Sequence, residues 1–496
     1  MADGATLPGG DATGWGGVDR AVWRVVAVVI LGAVMSVLDT TIVNVALETL
    51  SRELHSSLAD TQWVVTGYLL ALGAVIPLTA WITRRFGARR VYVTSIVVFT
   101  LGSALCGLAT STSELVVFRV LQGVGGGLIL PVGQTILVKA SGPRNLARVM
   151  GAFSVPVLLS PVLGPTVGGV LVDYVGWRWI FYVNVPIGVV AVVAAMRNLP
   201  YEAPEDAGRI DLPGVGLVAC GLVGITYGLA EVGRSAGDAA HVALPLATGA
   251  LLVVVFVLRS LRIRQPLLDV RLYVNRVFSA ASLTMFTVGA ALFGSLVPLP
   301  LYFQTARHQD ALAAGLLLAP RGLGAVAASL VVGRLIDRAG SGPTALVGAA
   351  LSLVATIPYL GLGAHSSYVM IGAAMTVQGF GLGLTFPPVS TAAYRALRDD
   401  QVNDASPQLN IIQRVGASIG TAILTVVLQQ HLDRAGNSAA ARAGAFGQTF
   451  QWVTAIALAG TLATVLLLLA ERRNRLVGPV GPDQVAVRPA PVAETG

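Results

Sequence analysis
Apolar residues run in long stretches separated by short polar connections along nearly the whole 496-residue chain. A membrane-crossing helix needs about 20 predominantly apolar residues. Runs of that size fall at 22–47, 62–82, 91–109, 114–138, 149–172, 177–196, 212–230, 242–259, 277–302, 312–336, 344–363, 367–393, 407–429 and 450–470. Fourteen spans are therefore expected, with no soluble domain between them. Because backbone in lipid must satisfy its own hydrogen bonds, the prediction is an all-α polytopic membrane protein.

Composition agrees: 54% of residues are hydrophobic and 12% charged, against about 25% charged in soluble domains. The net charge of +8 does not point to nucleic acid, because basic residues in short loops between apolar runs are topology signals first. With the N-terminus placed inside, 24 of the 33 basic residues fall on inner segments and six on outer ones, while Arg119, Arg321 and Arg414 lie within spans. That bias puts both termini on the cytoplasmic side. The first twenty residues have Arg20 as their only basic residue, a poor start for a cleaved signal, so the first apolar run is kept as a helix. Cys106 and Cys220 lie inside apolar runs and are expected as small buried side chains, with neither a disulfide framework nor a metal site. All five histidines map to outer loops, which argues against a membrane-embedded enzyme, and no nucleotide domain is present to make a primary pump.

Two stretches recur. Residues 119–131 read RVLQGVGGGLILP and 375–387 read MTVQGFGLGLTFP, matching Gln122, Gly123, Gly125, Gly127 and Pro131 to Gln378, Gly379, Gly381, Gly383 and Pro387. The loop AWITRRFGARR at 80–90 matches GRLIDRAGSGP at 333–343, aligning Arg85 with Arg338 and Gly87 with Gly340. A single duplication of a six-span unit, with spans 7 and 8 inserted, accounts for both. The repeats are parallel, as expected for two bundles related by an axis along the membrane normal. The expected organisation is a tail at 1–21, a bundle at 22–196, the inserted pair and linkers at 197–276, a bundle at 277–470 and a tail at 471–496.

These features resemble the major facilitator superfamily in its fourteen-helix drug:proton antiporter branch. The resemblance rests on LDTTIVNVAL at 38–47, the loop around Gly87 and Arg89, the Arg119 stretch, LGPTVGG at 163–169 and WRWIFYVNVPIG at 177–188. It implies the two-bundle fold above. It also implies proton-driven export of lipophilic, often cationic, drugs or antibiotics across a bacterial cytoplasmic membrane by a monomer, with small-molecule substrate, protons and lipid as partners and no cofactor. A dedicated exporter of one endogenous product, such as an antibiotic, siderophore or lipid, is the alternative. Gly87, Arg89, Gly123, Gly127, Pro131, Gly164, Pro165, Gly168, Asp337 and Arg338 are expected to serve conformational change. Two positions depart from the family pattern: Arg84 stands where the loop motif has an acid, which the second half keeps as Asp337, and Glu48 replaces a proline.

Asp39 is the one acid well inside span 1, and a mid-membrane charge costs roughly 2.5 to 3.5 kcal/mol on insertion scales. At 1.5 Å per residue, Asp39 lies about 12 Å below the outer end of its run and Arg119 about 7 Å below its own. The two are expected to face one cavity and couple, directly or through Gln122 or Asn44, as the proton-handling pair. Snorkelling of Arg119 to the interface is the alternative. Asn44, Tyr68, Gln122, Asn410 and Arg414 are expected to line the substrate cavity, with Gln413 beside them. Tyr68 would supply an aromatic wall, and Trp63 an interfacial anchor. Arg321, between Pro320 and Gly322, faces either the cavity or carbonyls freed by the proline. Pro156, Pro161 and Pro165 are expected to let span 5 bend. The glycines of span 4 read as close helix packing rather than a phosphate loop, since the Lys-Ser/Thr end is missing.

Overall fold
The computed structural model describes residues 18–205, 207–232, 239–263, 265–309, 311–435 and 438–477. Most of both expected tails lies outside the described residues, as do Arg234, Arg264 and Arg488 of the orientation count. All fourteen apolar runs are helical. They are α1 (Arg20–Glu53), α2 (Asp60–Phe86) and α3 (Ala88–Leu108). A long helix at Thr112–Tyr174 is broken at Gly142 into α4 (112–141) and α5 (143–174). There follow α6 (Trp179–Asn198), the pair α7 (Leu212–Glu231) and α8 (Ala240–Arg262), then α9 (Arg276–Ala306), α10 (Ala313–Ala339), α11 (Ser341–Gly361), α12 (Tyr368–Arg395), α13 (Asp399–Arg434) and α14 (Ala441–Asn474).

Short polar side chains start several of these helices by accepting from first-turn amides: Asp19 from Ala21, Ser57 from Asp60, Ser111 from Glu114, Asp211 from Gly214 and Ser367 from Met370. The repeated loops turn on glycines at matching positions, Gly87 with φ 81° and Gly340 with φ 95°. Side chains rarely adopt that backbone, so the turn accounts for both glycines.

The repeated Gln-Gly stretch is a packing device. A Cβ on Gly123 would lie 2.5 Å from the carbonyl oxygen of Tyr68 on α2, and one on Gly125 would lie 2.5 Å from the amide of Phe99 on α3. In the second half Gly379 abuts the backbone of Arg321 on α10, and Gly381 abuts Gly348 on α11. Each half thus clamps its fourth helix against its second and third through absent side chains. Gly164 and Gly168 give α5 a flat face, set against Thr41 and Ile42 of α1. Despite Pro156, Pro161 and Pro165, the helical backbone of this stretch is interrupted only at Gly142.

The inserted pair packs on itself and, through α7, on α2 and α13, with Trp63 stacked on Tyr227 at 5.8 Å. Leu244, Leu251, Val254 and Leu258 of α8 are exposed on the protein surface, as suits a lipid-facing helix. One expectation is corrected here: Cys106 is buried, but Cys220 on α7 is exposed, because its helix has only one packed side and the cysteine falls on the other.

Candidate functional site
Asp39 of α1 and Arg119 of α4 form a fully buried ion pair, Nη1 to Oδ2 at 2.5 Å. The same Nη1 donates to Gln122 Oε1 at 2.8 Å, and Nε donates to the Val64 carbonyl at 3.1 Å. Gln122 Nε2 donates to Asp39 Oδ1 at 3.0 Å, and Asn184 Nδ2 of α6 reaches the same oxygen at 3.2 Å. The guanidinium lies over the Tyr68 ring, 4.0 Å from its centroid, and the Tyr68 hydroxyl donates to the Ser36 carbonyl at 3.3 Å. Such a network meets the requirement that buried charge be paired and hydrogen-bonded.

A separate cavity of about 440 Å³ lies between the halves. Its wall takes Val37 and Thr40 from α1, Leu69 and Ile76 from α2, Leu130 from α4, Pro161 from α5, Leu229 from α7, Phe293 from α9, Phe386 from α12 and a long face of α13 that includes Asn410, Gln413 and Arg414. It carries no acidic side chain among the described residues. Asp39 is absent from the wall because Val37 and Thr40, one helical turn apart, present the face of α1 that turns away from it.

Below the cavity, on the side that the basic loops mark as inner, the halves are joined. Asn410 Nδ2 donates to Gln134 Oε1 of α4 at 2.7 Å, and the hydroxyls of Tyr394 and Ser406 reach the same oxygen, each at 3.3 Å. Ser406 also donates to the Pro131 carbonyl at 2.8 Å, and Arg395 donates to that of Pro143 at 3.0 Å. Two ion pairs complete this layer, Arg84–Asp404 at 2.8 Å and Arg148–Asp337 at 3.0 Å. Ala147 of α5 packs beside Ala328, Val332 and Ile336 of α10. The site is therefore closed at its inner end.

The expected residues divide accordingly. Asn410, Gln413 and Arg414 line the cavity, whereas Tyr68 and Gln122 do not, because the ion pair draws both into the interior of the first half. Asn44 is exposed and donates only to the Thr40 carbonyl, at 3.5 Å; it shares the helix face of Thr40 but lies one turn further out, beyond the lining. Asp39 and Arg119 are coupled, but away from the cavity rather than facing it. Arg321 donates to the Ser295 hydroxyl at 3.0 Å and serves neither cavity nor proline-freed carbonyl. Arg89 donates to the Met196 carbonyl, fastening the inner ends of α3 and α6. Sequence reasoning missed Asn184, although it lies in the quoted WRWIFYVNVPIG stretch, and also Gln134, a polar residue inside an apolar run three positions after Pro131.

Residues 29–421 match the family model described as Major Facilitator Superfamily. The chain belongs to the Major Facilitator Superfamily. A multidrug resistance protein B homolog of Mycobacterium tuberculosis (strain ATCC 25618 / H37Rv) is 38% identical over 415 residues, covering 83% of this chain and 77% of that protein. The methylenomycin A resistance protein of Bacillus subtilis (strain 168) is 33% identical over 409 residues, covering 82% and 87%. Among solved structures, the proton:xylose symporter XylE, bound to 6-bromo-6-deoxy-D-glucose, superposes with a TM-score of 0.62 at 13% identity, covering 90% of this chain and 95% of that one. That likeness establishes the facilitator fold. Family and relatives alike are transporters, so the cavity between the halves belongs to a multi-pass membrane transporter.

Proposed function
We propose that the protein is a proton-coupled antiporter of the cytoplasmic membrane that exports lipophilic small molecules by alternating access. The observation that carries this reading is the buried Asp39–Arg119 pair set one residue behind Thr40, which lines the cavity. A carboxylate held by a guanidinium and two side-chain amides is stable while charged and loses its main attraction once protonated. A proton arriving from the outer side therefore loosens α1 from α4. Because Gly164 and Gly168 set α5 against α1 at Thr41 and Ile42, a shift of α1 is transmitted to α5, and Arg148 near the inner end of α5 is one member of the inner seal. Loss of the proton to the inside restores the pair. The names of the relatives, which refer to multidrug and methylenomycin A resistance, support export as the direction.

The test uses proteoliposomes with an imposed pH gradient and a panel of lipophilic dyes, chosen first by resistance and efflux in an efflux-deficient host. Asp39→Asn should abolish gradient-driven accumulation while leaving downhill exchange of the dye. Accumulation that persists in Asp39→Asn sinks the carrier role, and a host indistinguishable with and without the wild-type protein sinks multidrug export.

A further inference from the structure
We propose that the cavity takes lipophilic organic anions, carboxylates above all, in preference to organic cations, with Arg414 as the residue that holds the charge. The proposal rests on the reading of the cavity as the transport site and names the substrate class of that site.

Arg414 lines the cavity wall. Its guanidinium makes no hydrogen bond or ion pair among the described residues, and its Nε is buried without a partner. This contrasts with the deep cation in the first half, Arg119, which is paired with Asp39 and hydrogen-bonded through Nε and Nη1. A guanidinium offers five donors in a fixed fork that fits a carboxylate with two parallel bonds. With no carboxylate among the described lining residues, it repels a cationic ligand and lacks a counterion. Asp39 is already bound to Arg119 and lies outside the lining.

The same face of α13 continues the pattern. Ser418, Thr421 and Thr425 follow Arg414 at helical spacing and all line the cavity. Most hydroxyls elsewhere in the spans donate to the carbonyl three or four residues back, as Thr449, Thr454, Thr461 and Thr464 do on α14. No such bond ties down these three. They form a row of neutral donors leading from the guanidinium, opposite a face that is mainly apolar on the other helices, with Thr40 and Thr226 as its polar members. An amphipathic anion fits this division, with its carboxylate at Arg414 and its apolar body across the cavity.

Wild-type protein in nanodiscs is titrated calorimetrically with 2-naphthoate, 2-naphthamide and 2-naphthylmethylammonium, which share a ring system and differ in charge. Naphthoate should bind roughly tenfold tighter than the ammonium, as a charge-assisted pair implies. Arg414→Gln should bring naphthoate down to the level of naphthamide, whose unchanged affinity shows the variant to be folded, and Arg414→Lys should recover part of the difference. The proposal is overturned if wild type binds no naphthoate, if the ammonium binds as tightly, or if Arg414→Gln leaves the naphthoate preference intact. Transport in proteoliposomes separates the two readings. Naphthoate that binds through Arg414 yet never moves under a proton gradient overturns export alone, whereas gradient-driven export of the ammonium independent of Arg414 overturns the anion preference alone.

Discussion
Arg84 of α2 and Asp404 of α13 meet across the two halves at 2.8 Å, and they are the repeat counterparts of Asp337 and Arg148, which also meet across the halves, at 3.0 Å. The offset of 253 carries Arg84 to Asp337, and the offset of 256 carries Arg148 to Asp404. The two ion pairs are thus one contact made twice, with the charges exchanged between the halves. The arginine that departs from the family's loop pattern therefore has its acid after all, supplied by the other half.

Reversing one of these charges should open the inner seal, and reversing both should close it again. Arg84→Asp alone places two acids in contact, and Arg84→Asp with Asp404→Arg restores the pair. A coupling of about 1 kcal/mol corresponds to roughly a fivefold change in the open fraction. The readout is labelling of Ala417→Cys, at the cavity wall, by an impermeant maleimide applied from the inner side in a Cys220→Ala background. Equal labelling in the single and double variants would show that the pair does not hold the seal.

The two pairs should not matter equally. The side chains of Arg148 and Asp337 are 38% and 32% exposed, against 21% and 14% for Arg84 and Asp404. Solvent and salt screen the first pair towards the 0.2 to 1 kcal/mol of surface bridges, roughly. Asp337→Asn should therefore raise inner labelling less than Asp404→Asn, and high salt should erase its effect first.

Removing one partner of the buried pair should cost more than removing both. Asp39→Ala leaves Arg119 charged without its counterion, a loss of about 3 to 5 kcal/mol in comparable buried pairs. Asp39→Ala with Arg119→Leu should recover much of the thermal stability in detergent without recovering proton-driven transport. A double variant as unstable as the single one would assign the cost to packing around Tyr68 instead of to the charge.

At the helix crossings, size should decide. Gly123→Leu and Gly379→Leu press a side chain into neighbouring backbone, and overpacking of this kind costs about 1 to 3 kcal/mol or more. Gly169→Ala, where a Cβ would meet nothing within 4 Å, should leave the melting temperature unchanged or slightly raised. Comparable melting temperatures for all three would refute the packing role of the repeated glycines.

Much of this architecture was legible because the membrane enforces it. Lipid demands long apolar runs, so the fourteen helices follow from their lengths, and duplicated glycines point to duplicated crossings. Coupling of Asp39 with Arg119 follows from depth, since both fall in the outer half of the membrane and opposite charges in lipid attract, although the cavity they are expected to face includes neither. The lining of the cavity was not legible in the same way. In a helix apolar all round, periodicity does not reveal which face meets a neighbour, and so Tyr68, Gln122 and Asn44 were assigned to a wall that they do not form. Asn184 escaped notice for a related reason: its value lies in the oxygen of Asp39 that it reaches from another helix, a distance that no spacing along the chain encodes. The exchanged pairs at the inner seal were readable in principle, from opposite charges at equivalent positions of the two repeats.

Gln134 carries a consequence for speed. Its side-chain oxygen has two lone pairs, yet three donors from the second half converge on it, Asn410 at 2.7 Å and Tyr394 and Ser406 each at 3.3 Å. Asn410 Nδ2 places its second hydrogen on the Ser406 carbonyl at 2.9 Å, and the Ser406 hydroxyl is shared with the Pro131 carbonyl. The acceptor is oversubscribed, and the single Ser406 proton can let go of it without becoming an orphan, because the Pro131 carbonyl lies closer, at 2.8 Å. The seal at the inner end of the cavity is thus tight in outline and underbonded at its centre, and a turnover cycle can break it without first climbing the cost of three full hydrogen bonds.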